Sequence, residues 1–188
     1  MVARRTFLFG GLSLVALPDV SAAASRTAHA FGFDGIEGGR IDLGAFRGRL
    51  VLVVNTASRC GFTNQYAGLQ TLWTRYRERG LTVIGVPAND FAGQEPSSNE
   101  EILGFCSQRF GVSFPLAAKT SVVGEGAHPF YRWAALERPS ETPRWNFHKY
   151  LIGRDGRIAA VFPTSVEPTD PRVLTAIERA FTGPREGA

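Results

Sequence analysis

Cysteine is the first scarcity. A chain of 188 residues with two cysteines cannot form a multi-bridge disulfide scaffold or a Cys-rich zinc site. The three histidines, His29, His128 and His148, have no metal-ligand spacing and no clustered carboxylates beside them, so a metal site is not expected. A Gly-rich phosphate loop and a Ser-His-Asp pattern are both missing, and no cofactor is implied. No run of like charge marks a nucleic-acid-binding arm, and a net charge of +4 is modest, so no nucleic-acid partner is expected. There is no internal repeat, low-complexity segment or dividing linker. What is present is 44% hydrophobic and 20% charged residues, enough for one compact domain with a real core. Two thiols are left to explain.

Residues 1–24 read as an export signal, extending to residue 30 if cleavage comes late. Arg4 and Arg5 form a positive head, an apolar segment spans 7–17, and Ser21-Ala22-Ala23-Ala24 is a small-residue exit. The apolar segment is shorter than the ~20 residues of a membrane-spanning helix, so no stable anchor is expected. Arg4-Arg5-Thr6-Phe7-Leu8 also resembles the core of a twin-arginine signal, which implies a periplasmic destination. An ordinary secretory signal with two incidental arginines is the alternative. Residues 25–188 then form the single folded domain.

Within that domain, Leu50-Val51-Leu52-Val53-Val54 is a continuous aliphatic run, the pattern of a strand buried on both faces. A loop over 56–63 follows. Leu69, Leu72, Trp73 and Tyr76 fall at i, i+3, i+4 and i+7 and predict a helix over 65–79, ended by Gly80. A second buried strand over 81–86 completes a right-handed βαβ unit. Ser97-Ser98-Asn99-Glu100-Glu101 holds overlapping capping boxes that start a helix running to Phe110. A short strand over 114–118 and a helix over 129–136 come next. Segments 147–152 and 157–162 alternate around Gly153-Arg154-Asp155-Gly156, which predicts a hairpin. Asp170-Pro171 caps a last helix ending near Phe181. This order predicts an α/β, thioredoxin-like fold: a central mixed sheet flanked by helices, with one inserted helix.

Cys60 falls just past the carboxyl end of the first central strand and just before a helix, where open α/β sheets place their sites. Free N–H donors and the positive end of a helix favour the thiolate, and Arg59 adds positive potential. Thr63 stands where a Cys-x-x-Cys motif would carry its second cysteine, so local dithiol chemistry is absent. The competing reading of Cys60 is an inert buried thiol.

The stretch Asn55-Thr56-Ala57-Ser58-Arg59-Cys60-Gly61-Phe62-Thr63-Asn64-Gln65-Tyr66 resembles the signature of glutathione peroxidases, in the form that carries Cys rather than selenocysteine. The resemblance continues through Asn89-Asp90-Phe91-Ala92-Gly93-Gln94-Glu95-Pro96 and Trp145-Asn146-Phe147-His148-Lys149, and covers the chain from Phe31 to Phe181. It implies a thioredoxin fold and reduction of hydroperoxides by a thiol at Cys60. It also implies a catalytic tetrad of Cys60, Gln94, Trp145 and Asn146. The chemistry suits these residue types. A thiolate attacks the distal peroxide oxygen and becomes a sulfenic acid. Amide and indole N–H groups can stabilise the developing anion without titrating themselves. Singly, each also has an ordinary reading: Gln94 as a loop residue, Trp145 as core, Asn146 as a turn residue.

Cys106 lies 46 positions after Cys60, inside the predicted helix over 98–110. In Cys-type members of the family this segment carries the resolving cysteine. The resemblance thus implies a Cys60–Cys106 disulfide, recycled by a thioredoxin-type protein. A thiol inside a helix usually needs local unwinding to reach such a bond, and Gly104 and Gly111 favour it. If Cys106 is only a buried helix residue, Cys60 works alone with glutathione or another small thiol. Two residues depart from the family pattern. Ala88 stands where many relatives have a third Cys, and Asp90 replaces a Gln, bringing a carboxylate toward the expected site. Segment 137–144 is short where tetrameric members of that family carry a longer loop, so the resemblance implies a monomer or weak dimer with an open site that admits bulky hydroperoxides. A peroxide-sensing relay that passes its disulfide to a partner protein is the rival function.

Overall fold

A computed structural model describes residues 26–184; the export-signal reading lies outside them. The described chain opens with an antiparallel hairpin of β1 (Gly32–Asp34) and β2 (Arg40–Asp42). The sequence reading has no counterpart to it. Three-residue strands show too little alternation to be seen, and the connection turns through Gly38 and Gly39 at φ +94° and +72°, angles that glycine adopts freely.

The expected βαβ unit follows. Strands β3 (Leu50–Thr56) and β4 (Leu81–Pro87) are buried at every position and pair in parallel, Leu50 opposite Leu81 and Thr56 opposite Pro87. A parallel pair needs a crossover, supplied by α1 (Gln65–Tyr76). Its stripe of Tyr66, Leu69, Leu72 and Tyr76 is fully buried. The helix tightens into a 3₁₀ turn over Arg77–Arg79 and stops at Gly80, φ +102°. Helix α2 (Asn99–Phe110) starts at Ser98, whose Oγ accepts the Glu101 N–H at 3.2 Å, and ends at left-handed Gly111. Segment 114–118 is not a strand: it makes two isolated bridges, Leu116 to Gly85 and Ala117 to Gly35. Pro115 has no N–H to continue a ladder.

Helix α3 (Pro129–Glu137) precedes strands β5 (Lys149–Ile152) and β6 (Ile158–Phe162), and α4 (Pro171–Phe181) closes the domain. The main sheet runs β4-β3-β5-β6, with β5 antiparallel to both neighbours. Its two faces follow the period-2 rule. Leu50, Leu52, Val54, Leu81, Val83 and Leu151 pack under α1, α2 and α4. Val51, Val53, Ile84, Val86, Tyr150 and Ile152 pack with α3 and the N-terminal hairpin. This is the mixed α/β sheet flanked by helices that the element order predicts. The carboxyl ends of β3 and β4 and the entry to β5 meet at one edge, where the motifs converge.

Candidate active site

Cys60 is 9% exposed and sits in the tight turn between β3 and α1. Thr63 shapes that turn. Its Oγ1 accepts the Cys60 N–H at 3.0 Å and donates to the Cys60 carbonyl at 2.5 Å, while the Thr63 N–H reaches the same carbonyl at 3.1 Å. The position that lacks a second cysteine thus holds the first one in place. The Phe62 N–H donates to the Cys60 sulfur at 3.5 Å. Glycine at 61 and Phe62, 38% exposed, leave the outer side of the turn open.

The Gln94 loop docks on this turn through its backbone. The Arg59 N–H donates to the Gln94 carbonyl at 2.9 Å, and the Ser58 N–H donates to Glu95 Oε2 at 2.9 Å. Asn89 Oδ1 accepts the Glu95 N–H at 2.9 Å and closes the loop. Ala92 and Gly93 take φ of +59° and +62°. For alanine that left-handed conformation costs about 1 kcal/mol or more, and such strain concentrates where a loop must present a side chain in one way. The Asp90 carboxylate accepts the Ser121 hydroxyl at 2.5 Å and the Val122 N–H at 3.0 Å.

The third motif arrives just ahead of β5. Asn146 is fully buried, and its Nδ2 donates to Gln94 Oε1 at 2.9 Å. That leaves the Gln94 amide N–H₂ with donors to spend. Asn146 Oδ1 is buried without a partner among the described residues. Trp145 is 37% exposed, and its ring lies 5.9 Å from that of Phe91. The structure therefore ties Gln94 and Asn146 side chain to side chain, joins both to the Cys60 turn, and sets Trp145 at the rim beside them.

Asn55, the penultimate residue of β3, fixes this segment. Its Nδ2 donates to the Trp145 carbonyl and its Oδ1 accepts the His148 N–H, each at 3.1 Å. Between these anchors, Phe147 is forced to φ +63°, which is why β5 begins at Lys149 and not at the predicted residue 147. Lys149 is itself fully buried. Its ammonium donates to the Phe147 carbonyl and to Gln65 Oε1, both at 2.7 Å, and burial brings it down to about 7. Asn55, Glu95 and Lys149 had no role in the sequence reading. For Asn55 and Lys149 the available signal is a polar residue inside an otherwise apolar strand, since a buried polar group requires partners; Glu95, in a loop, carries no such signal.

Cys106 is where the helix pattern puts it, in the middle of α2 and wholly buried. Both cysteines are free thiols and belong to the same apolar cluster. Burial pushes the Cys106 thiol up to about 11, with the Tyr66 hydroxyl pulling the other way and Glu95 adding to the rise. The unmoved structure therefore holds Cys106 protonated and away from solvent.

A glutathione peroxidase family profile matches residues 28–135. The chain is 39% identical over 160 residues to the hydroperoxy fatty acid reductase gpx1 of Synechocystis sp., covering 80% of this chain and 95% of that protein. It is 42% identical over 125 residues to the glutathione peroxidase-like peroxiredoxin gpx1 of Schizosaccharomyces pombe, covering 65% and 79%. Among solved structures, Trgpx in apo form superposes with a TM-score of 0.69 at 32% identity, covering 86% of this chain and 99% of that one. A thiol:disulfide interchange protein of the thioredoxin family from Chlorobium tepidum superposes with a TM-score of 0.60 at 14% identity, covering 80% and 92%, and so shares the fold. With this sheet, this cysteine turn and these relatives, the chain belongs to the glutathione peroxidase family and is a thiol peroxidase.

Proposed function

We propose that the protein reduces hydrogen peroxide and organic hydroperoxides at Cys60. The observation that supports this most is the joining of three loops: the Gln94 carbonyl holds the Arg59 N–H, and the Gln94 side chain holds Asn146, each at 2.9 Å. In this reading the Cys60 thiolate attacks the distal peroxide oxygen. The O–O bond breaks, the sulfur becomes a sulfenic acid, and water or an alcohol leaves with a proton. Gln94, Trp145 and Asn146 supply uncharged donors to the anion that develops on the leaving oxygen. The apolar rim of Phe62, Phe91 and Trp145 favours bulky or lipid hydroperoxides, and the open turn leaves room for them.

Cys106 then resolves the sulfenic acid to a Cys60–Cys106 disulfide, which a thioredoxin-type protein reduces. Glutathione is the reductant if Cys106 stays out of the cycle. Among the described residues no helix is long and apolar enough to cross a membrane; we read residues 1–24 as a twin-arginine-like signal that takes the enzyme to the periplasm, where it acts in the response to oxidative stress as a monomer or weak dimer. N-terminal sequencing of the protein recovered from cell fractions tests that address.

Intact mass after one equivalent of peroxide tests the cycle. A loss of two hydrogens is expected, signifying an internal disulfide; a gain of one oxygen signifies one-cysteine chemistry and removes Cys106 from it. Substituting Cys60→Ser is expected to bring peroxide consumption to background, and retained consumption in that variant overturns the assignment. Sustained NADPH-coupled turnover with thioredoxin and thioredoxin reductase supports a peroxidase; a single stoichiometric burst followed by transfer to one client supports a relay.

A further inference from the structure

The segment that carries Trp145, Asn146 and Phe147 lies just ahead of β5, outside its ladder, and its carbonyls need donors from elsewhere. Side chains supply them one by one. Asn55 Nδ2 donates to the Trp145 carbonyl at 3.1 Å, Thr164 Oγ1 to the Asn146 carbonyl at 2.7 Å, and Lys149 Nζ to the Phe147 carbonyl at 2.7 Å. The last two bonds are joined through Gln65, the first residue of α1. Its Oε1 accepts from Lys149 Nζ and its Nε2 donates to the Thr164 carbonyl, both at 2.7 Å. The Gln65 N–H in turn donates to the Phe62 carbonyl at 2.9 Å, beside Cys60. Hydrogen bonds thus run from the Cys60 turn through Gln65 to the carbonyls of Asn146 and Phe147. Gln65 and Lys149 are 1% and 0% exposed. Lys149 forms no ion pair among the described residues, and a buried ammonium without a counter-ion works against folding.

We propose that Lys149, with Gln65 and Thr164, is a positioning residue that sets Asn146 against Cys60 for the peroxide step. The inference rests on the reading of Asn146 as a donor to the leaving oxygen. Lys149 acts through Asn146, whose Nδ2 donates to Gln94 Oε1 at 2.9 Å, and not on the peroxide itself. A lysine suits the place because its nitrogen carries several donors at the end of a four-carbon stem. One buried atom therefore holds a backbone carbonyl and a side-chain amide at once. A methionine fills similar space with neither bonds nor charge, and a core built for stability alone favours it. The lysine stands where the backbone of the site has no sheet to support it. A donor misplaced by a fraction of an ångström loses rate steeply, so slack in this segment is felt at Cys60.

The test reads two quantities on the full chain: Tm at pH 6, and the single-turnover rate at which hydrogen peroxide consumes reduced protein, by quenched intact mass. Lys149→Met is expected to slow the reaction about 10-fold while its Tm stays at or above the wild-type value, since a buried charge is gone. Thr164→Val is expected to slow it about 3-fold, and Thr164→Ser, which keeps the hydroxyl, to restore it. Gln65→Glu keeps the acceptor for Lys149 and removes the donor to Thr164. It places a carboxylate in the first turn of α1, where one is tolerated, and is expected to be as slow as Thr164→Val. A Lys149→Met protein that reacts within about twofold of wild type overturns the inference. So does one whose rate and Tm fall together, or a Thr164→Ser protein as slow as Thr164→Val. Asn146→Ala separates the two readings. If it is slow while Lys149→Met is not, the positioning role alone fails; if it reacts at the wild-type rate, the donor role of Asn146 fails and takes the inference with it.

Discussion

Cys60 and Cys106 share one apolar cluster, yet their surroundings are built on opposite plans. Cys60 sits in a turn held by Thr63 and by backbone bonds to neighbouring loops, with left-handed residues at Ala92, Gly93 and Phe147 in the two loops that meet it. Regular structure stops just short of it on each side, at Thr56 and at Gln65. Cys106 is mid-helix, wholly buried, and surrounded by side chains of regular elements. The first arrangement fixes a group where solvent-borne molecules arrive. The second stores a group that is inert until its helix moves or its proton leaves. In the proposed cycle rigidity serves peroxide reduction at Cys60 and local instability serves resolution by Cys106, both within one apolar cluster.

Removing donors at the rigid site should produce the largest effect that leaves the fold intact. Gln94→Ala and Trp145→Phe are each expected to slow the single-turnover oxidation of Cys60 by about 10²-fold, the loss typical of one oxyanion donor. Stopped-flow tryptophan fluorescence follows the first variant, and loss of free thiol follows both. Rates within about twofold of wild type would remove these residues from the site.

Asn55→Ala attacks the same site from behind. It strands the Trp145 carbonyl and the His148 N–H in the core, which should cost about 3 kcal/mol and lower Tm by roughly 10 °C. Peroxide reduction should slow about 10-fold as the Trp145–Asn146 segment loses its clamp. An unchanged rate in a destabilised variant would show that the segment keeps its place without Asn55.

The softer site answers to a smaller change. Helix α2 has open space around Gly104, so Gly104→Ala should stiffen the helix by about 0.5–1 kcal/mol. Disulfide formation is then expected to slow about 2- to 5-fold while Cys60 oxidation keeps its rate. Equal rates of disulfide formation would mean that Cys106 reaches Cys60 without unwinding.

Lys149 gives a pH signature. Its amine is held at about 7 in the fold against an ordinary 10.5, so the folded state takes up a proton less readily than the unfolded chain. Its contribution to stability is full above pH 10.5 and is lost as the pH falls through about 7. The Tm of wild type relative to Lys149→Met should therefore rise between pH 6 and pH 9.5. A constant difference would show that burial does not govern the amine.

The sequence makes the regular frame legible for physical reasons. Leu50 to Val54 is apolar without interruption, and Leu81 to Val86 is broken only by Thr82 and Gly85, because parallel strands are covered on both faces; α1 shows its stripe because one face of it is covered. The motif resemblance names the tetrad candidates, and the structure adds how Gln94 and Asn146 touch. What stayed hidden depends on pairing across long separations. Asn55 meets Trp145 and His148, Glu95 meets Ser58, and Lys149 meets Gln65, and no periodicity encodes such partners. The residue type of Phe147 suits a strand; only the anchors on either side force it out of one.

The chain's lysines are Lys119 and Lys149; the Lys119 amine donates to the carbonyls of Pro96 and Ser97, and the Lys149 amine to the Phe147 carbonyl and the Gln65 side-chain amide. Amine-directed reagents such as active esters consequently meet few nucleophiles on the native surface. The rate at which Lys149 takes such a label becomes a direct clock for opening of the segment that carries Asn146, read without altering a single residue.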